Sequence, residues 1–524
     1  MSRNLILHNG QVYGLNGIQE DTAVVIENGI IRYIGDENGF RHYLRDDHEV
    51  IDAGGRIIFP GFIDTHLHLS EWARQQDYHQ LGHFTSLREL KDYVGKASVG
   101  CSWIFGGGWN QNNWNERRFP HRKDLDHLGP DVKAVFYSKD LHSAWVNEAV
   151  IDLFPFDDVF RMVRKGCVQR DPDGQLNGII QEEGLEVLLD PLLRQHRSGI
   201  FSDPVPYFNH FYRHGITSVH SMEYYDQYRD YLNLYQREEN RGLRLGIYLY
   251  HADAEKAYTQ GLRFGTGGDM LRFYGIKLFT DGALGSQTAW MRNPYENTDD
   301  DYGKKQMTGD TLKKAILKAE AKSCALAVHA LGDAAVEHVL DTLDMIGRDL
   351  RVPFRIEHAQ ILDEELINRL KNSNIHISVN PAHLPDDQAV ADLHWGSRSR
   401  YAYTYRSMKM AEIPFAIGSD APVEDIHPWK AIHAAVHRIG TVGKIPWYPE
   451  ESLRLTDAIQ AYTYYGGIIS GMNEKKGVLA PGYLGDCFIC SHDVFEEGIR
   501  DWKKIRSLLT VIGGRVVYND LDNE

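Results

Sequence analysis

The stretch IFPGFIDTHLH, residues 58–68, is an apolar run that ends in two histidines one residue apart. On a strand, residues two apart project to the same face, so His66 and His68 aim two imidazoles at one point where the strand runs out. Imidazole is a ligand for zinc and similar ions. With 25 histidines in the chain, such a pair alone is weak. Its counterparts further along decide the reading. His329 ends the apolar run in CALAVHALGDAA, His358 ends the one in PFRIEHAQ, and Asp420 ends the one in PFAIGSDAPV. Each has a bland alternative, a histidine at a strand end or an aspartate capping the next helix. Four strands that all end, on the same side, in a metal-capable residue argue for one site at the C-terminal mouth of a barrel.

The middle of the chain alternates such strands with helical stretches, the pattern of a parallel sheet wrapped in helices. Eight strands are expected: Ile58 to His66, Ile216 to Ser221, Leu243 to Tyr250, Tyr274 to Phe279, Leu326 to Ala330, Phe354 to His358, Ile375 to Asn380 and Phe415 to Asp420. The expected fold is therefore α/β, a (β/α)8 TIM-type barrel over 58–475. About 150 residues separate the first two strands, too many for one crossover, so 71–207 is expected to be an inserted lid or substrate subdomain. Short strands broken by glycines occupy both ends of the chain. They predict a small β-sandwich domain assembled from 1–57 and 476–524, since chain termini often lie close together.

The bulk numbers exclude some partners. A net charge of -16 and a pI near 5.9 argue against a nucleic-acid surface or an anionic membrane. The start, MSRNLILHNG, lacks the features of a secretion signal, and no apolar run approaches a bilayer's thickness. Five cysteines in 524 residues make no disulfide framework. Cys487 and Cys490 form a C-x-x-C, but on a strand they would point to opposite faces. A cytoplasmic setting and a small-molecule substrate are expected.

Lys277 is the odd member, set among Ile276, Leu278 and Phe279 in the fourth strand. A buried lysine is costly unless paired or neutralised. It either pairs with a carboxylate such as Asp281, or its amine adds carbon dioxide to give a carbamate able to bridge two cations. Trp109, Asn110, Trp114, His142, Trp145 and Trp290 are candidates for the pocket and lid, because aromatic walls with a few polar groups suit a small-molecule site. His220 could bond a developing oxyanion, and Asp281 could orient the site.

The motifs GFIDTHLHL, GIKLFTDGALGSQTAW, VHALGDAAVEHVL, FRIEHAQIL and IGSDAPV together resemble the amidohydrolase superfamily. More narrowly they resemble its YtcJ-like branch, which includes N-substituted formamide deformylase, and the likeness spans nearly the whole chain. The resemblance implies that His66 and His68 with Asp420 hold one divalent ion and His329 and His358 a second. Carboxylated Lys277 would bridge the two, with zinc the expected metal. It also implies a hydrolase of amide-type C–N bonds, N-formyl or N-acyl amines among them. A metal-activated water would be the nucleophile, and Asp420 would carry its proton to the leaving amine. Barrels of this kind often form homodimers. Two positions depart from the branch: Ser221 follows His220 where an aspartate is frequent, and Asn380 precedes Pro381 where glutamine is usual. Esterase, lactonase or deaminase action, or a non-catalytic binding relative, are the competing expectations. Gly332-Asp333 after His329 and the presence of Lys277 count against a deaminase.

Overall fold

Pro60 and Gly61 divide what reads as a single strand into two. In a computed structural model of the chain, Ile57–Pro60 pairs with Gln11–Gly14 and with Cys487–Cys490 in a sheet built from both termini. The first barrel strand begins only at Phe62–Leu67. The expected run from Ile58 to His66 therefore belongs to two sheets, and the terminal domain extends to Pro60. Proline cannot donate to a ladder, which suits the change of sheet. At Gly61 the backbone passes so close to Thr217 that a Cβ would lie 2.2 Å from its Oγ1. The structure describes residues 4–20, 22–139, 141–154, 167–182, 184–193, 199–237, 242–296, 298–441, 445–496 and 501–523.

The barrel strands are β1 (Phe62–Leu67), β2 (Ile216–Glu223), β3 (Arg244–Tyr250), β4 (Leu271–Phe279), β5 (Ala325–Ala330), β6 (Phe354–His358), β7 (His376–Val379) and β8 (Phe415–Ile417). They lie side by side in sequence order, each parallel to its neighbours. The ends meet just beyond β8: Asp420 N donates to His66 O at 2.7 Å and His68 N to Ala421 O at 2.8 Å. This closes the TIM-type barrel. Strands covered on both faces read as near-continuous apolar runs, as β5 does; β2 is equally buried but carries polar side chains, in ITSVHSME. Ala325 and Ala327 on β5 leave room for Met222, Tyr248 and Tyr274, and together these form one buried cluster.

Two sheets make the terminal domain. One runs in the order Ile30–Gly35, Ala23–Glu27, Leu5–His8, Glu49–Asp52. The other runs Arg515–Asn519, Ser507–Ile512, Cys487–Cys490, Ile57–Pro60, Gln11–Gly14, Gly17–Ile18. Leu5, Leu7, Val24 and Ile26 of the first pack with Val12, Ile58, Ile489, Leu509 and Val511 of the second. Cys487 joins this apolar core, so burial pushes its thiol up.

Ser70–Asp203 form a second compact unit, where an insertion at 71–207 is expected. Its six-stranded sheet alternates by residue between two cores: Ala134 and Phe136 face one, Val135 and Tyr137 the other. Among the described residues, no helix is long and apolar enough to cross a membrane.

Candidate metal centre

His66, His358 and Asp420 come from β1, β6 and the turn after β8, and each offers one ligand atom within 4.8 Å of the others. Strand geometry alone does not deliver the last two. His358 has φ 72° and Asp420 φ 59°, left-handed values that turn the chain at the strand ends. Such conformations are costly for non-glycine residues and concentrate at functional sites. Asp420 Oδ1 lies 3.3 Å from both His66 Nε2 and His68 Nε2, and Lys277 Nζ is 3.5 Å from His66 Nε2. The His329 and His358 rings stand with centroids 4.5 Å apart. The structure thus gathers the ligand atoms of His66, His358 and Asp420, sets His68 and Lys277 against them, and places the His329 ring beside His358 while its Nε2 lies 3.0 Å from Gly282 O.

The electrostatics suit ligation. Burial, then the charge of Lys277, hold His66 down to about 4, so its imidazole is neutral. Burial likewise holds His358 well below the ordinary histidine range. Asp420 is held well below the usual carboxylate range by the histidines around it, which outweigh the cost of its burial. Lys277 is fully enclosed, and burial lowers its amine to about 8, against the pull of Glu357 and Asp420. Neutral imidazoles with a carboxylate form a nitrogen and oxygen donor set that fits a divalent ion such as zinc.

The remaining candidates fall elsewhere. Asp281 is fully buried and accepts from Leu331 N, Gly332 N and Trp290 N at 3.0, 2.8 and 2.9 Å. It therefore ties together the chain after β4 and the chain after β5, and it is not the partner of Lys277. Trp290 rests its ring against His338, with Lys305 Nζ 4.5 Å from the ring centre. His220 is enclosed, with Nδ1 on Arg355 and Nε2 on Ser470, so it is already committed on both sides. In the inserted unit, Trp109 and Trp145 are fully buried in its own core and donate to Phe136 O and His121 O. Trp114 packs beside Trp109. Their bulk helps to fill the core of that unit. Asn110 caps the short helix Gln111–Asn113, and His142 Nδ1 meets Glu182 Oε2 at 3.0 Å.

Several polar residues around the centre are not apparent from the motifs. Glu357 Oε2 lies 2.5 Å from His66 Nδ1 and Glu357 is paired with Arg355. That guanidinium, with His66, holds Glu357 at about 2 despite burial. Tyr250 OH is 2.6 Å from His68 Nδ1, and His383 Nε2 is 3.1 Å from Asp420 Oδ2. Arg355 and Glu357 had a signal, two charges at strand spacing within FRIEH. His383 and Tyr250 had none.

Comparison with known proteins places these features in company. Residues 49–518 match the model of the amidohydrolase family. The chain is 28% identical to YtcJ of Bacillus subtilis (strain 168), over 98% of this chain and 99% of that protein. It is 22% identical to N-substituted formamide deformylase of Arthrobacter pascens, over 95% and 94% of the two chains. The crystal structure of an uncharacterized metal-dependent hydrolase from Pyrococcus horikoshii superposes with a TM-score of 0.78. It is 26% identical and covers 94% of this chain and 98% of its own.

Proposed function

Since the chain belongs to the amidohydrolase family, we propose that it is a metal-dependent hydrolase of carbon–nitrogen bonds other than peptide bonds, acting on an N-formyl or N-acyl amine. The observation that carries this is the meeting of His66, His358 and Asp420, with His68 and Lys277 against them, at the C-terminal ends of the barrel strands. The formyl or acyl amine is suggested by the name of the Arthrobacter relative.

His66, His68 and Asp420 would hold one ion and His329 and His358 a second, zinc being favoured by the donor set. When bound, such an ion supplies a water acidic enough to act as nucleophile near neutral pH and polarises the substrate carbonyl. Lys277 is suited to carboxylation: its buried amine, lowered to about 8, is neutral in part at neutral pH. Its Nζ would bond to the carbon of carbon dioxide and release a proton, leaving an anion between the two histidine sets.

Asp420 is the base. Its carboxylate would receive the proton of the attacking water as the oxygen–carbon bond forms, and return it to the amine nitrogen as the carbon–nitrogen bond breaks. The products are the carboxylic acid (formic acid for a formyl group), which loses its remaining proton to solvent at neutral pH, and a free amine. His383 engages Oδ2 and so orients the carboxylate with Oδ1 toward His66 and His68. A cytoplasmic setting is proposed, since five cysteines in 524 residues make no disulfide framework. A homodimer is the proposed assembly, to be read by light scattering.

The test is a screen of N-formyl and N-acyl amines, with esters and lactones alongside, using enzyme stripped of metal and reloaded with zinc or manganese. Release of free amine that depends on the added metal is expected. No amine release from any amide in the presence of either metal would overturn the reading.

A further inference from the structure

We infer that Arg355 and Glu357 are positioning residues that set the tautomer of His66 and thereby turn its Nε2 lone pair toward the metal position. The inference rests on the metal centre proposed above. It follows from a buried chain of polar contacts that has only one consistent direction. Ser470, His220, Arg355, Glu357 and His66 are each at most 2% exposed, so no solvent completes their bonding.

The direction starts from Arg355, which can only donate. Its Nη1 lies 2.9 Å from His220 Nδ1, so that nitrogen must accept, and the proton of the neutral ring sits on Nε2. His220 Nε2 then donates to Ser470 Oγ at 2.8 Å, and the Ser470 hydroxyl passes on to Gly466 O at 2.5 Å. In this way Arg355 is anchored to the far wall of the barrel, and the ring of Tyr248 covers its guanidinium at 4.4 Å. Toward the centre, Arg355 pairs with Glu357. An ionised carboxylate can only accept, so His66 Nδ1, 2.5 Å from Glu357 Oε2, carries the proton. Nε2 is left with a free lone pair. It faces Asp420 Oδ1 and Lys277 Nζ, at 3.3 and 3.5 Å.

An amide in place of Glu357 has no good orientation. With its oxygen toward His66, its NH2 opposes the Arg355 donors. With its oxygen toward Arg355, its NH2 needs His66 Nδ1 as acceptor and drives the imidazole proton onto Nε2, where the lone pair is required. Loss of an outer carboxylate of this kind weakens metal binding by about 10–100-fold.

The experiment measures zinc affinity by chelator competition, on the full-length metal-free protein, for wild type, Glu357→Gln and the double variant Arg355→Gln/Glu357→Gln. The double variant removes both charges together, so it leaves no stranded guanidinium and guards against a folding failure of the single one. Thermal melts of the metal-free proteins accompany each titration. The expected result is about 10–100-fold weaker zinc binding in both variants. Equal affinity in all three proteins overturns the positioning role and leaves the proposed function standing. A loss confined to the single variant also overturns it, because the stranded charge of Arg355 would then be the cause. A wild type that binds no zinc removes the metal centre itself.

Discussion

His383 Nε2 sits 3.1 Å from Asp420 Oδ2, on the opposite side of a carboxylate whose Oδ1 faces His66 and His68 at 3.3 Å each. One oxygen is therefore held while the other is left facing the centre. Asp420→Asn keeps the shape and the contact with His383 but can no longer accept a proton. Turnover of the metal-loaded enzyme on an amide substrate should fall by about 10²–10⁴-fold. A variant with normal kcat would remove Asp420 as the base. His383→Gln should cost less, about 10–100-fold, because it acts through Asp420.

The proposed two-ion centre turns on Lys277. Chelator treatment should abolish turnover, and zinc or manganese should restore it. Elemental analysis of the reloaded protein should show a second ion per chain that is lost in Lys277→Met. Mass spectrometry under native conditions in bicarbonate tests the carbamate directly. An unmodified lysine and a single ion in the wild type would replace the bridged centre by a mononuclear one.

Arg244 and Asp486 join the start of β3 to the loop entering the strand Cys487–Cys490. The guanidinium is bidentate, Nε to Oδ2 at 2.6 Å and Nη2 to Oδ1 at 2.8 Å, and Asp486 Oδ1 also accepts from Gly513 N. Both side chains are almost fully buried. Arg244→Ala strands the carboxylate and should destabilise the protein by about 3–5 kcal/mol in urea unfolding. Arg244→Met/Asp486→Leu, which removes both charges, should recover most of that loss.

Lys476 gives stability a dependence on pH away from the metal centre. Its Nζ donates to Ser218 Oγ at 2.8 Å, and burial, with the charge of Arg244 nearby, lowers the amine to about 7 from its ordinary 10.5. Between those values the unfolded chain binds a proton that the folded chain does not, so stability should rise with pH through that window. Below about 7 both states are protonated and the buried charge is a constant cost. In Lys476→Met this contribution to the slope should vanish, and the variant should be more stable than wild type at neutral pH. Melting temperatures from pH 6 to 10 would show it, and an unchanged slope would rule it out.

The barrel, the terminal sandwich and the residues that end the strands are legible in the chain, because those signals are local. A period of two marks His66 and His68, and an apolar run stopped by a polar group marks His329, His358 and Asp420. The remaining contacts arise only on folding. The partner of His66 lies 291 residues away at Glu357, and that of Asp64, which accepts from Ser419 N, lies 355 away. No local pattern encodes such pairs. Arg355 and Glu357 carry a visible spacing, but only barrel closure shows that they meet His220 and His66. The tryptophans of the insertion were legible as a cluster. Whether their rings line a pocket or fill a core depends on how the strands beside them pair, and Trp109 and Trp145 fill a core. The break at Pro60 was equally hidden, because the residues on either side of it are apolar alike and only hydrogen-bond partners separate the two sheets.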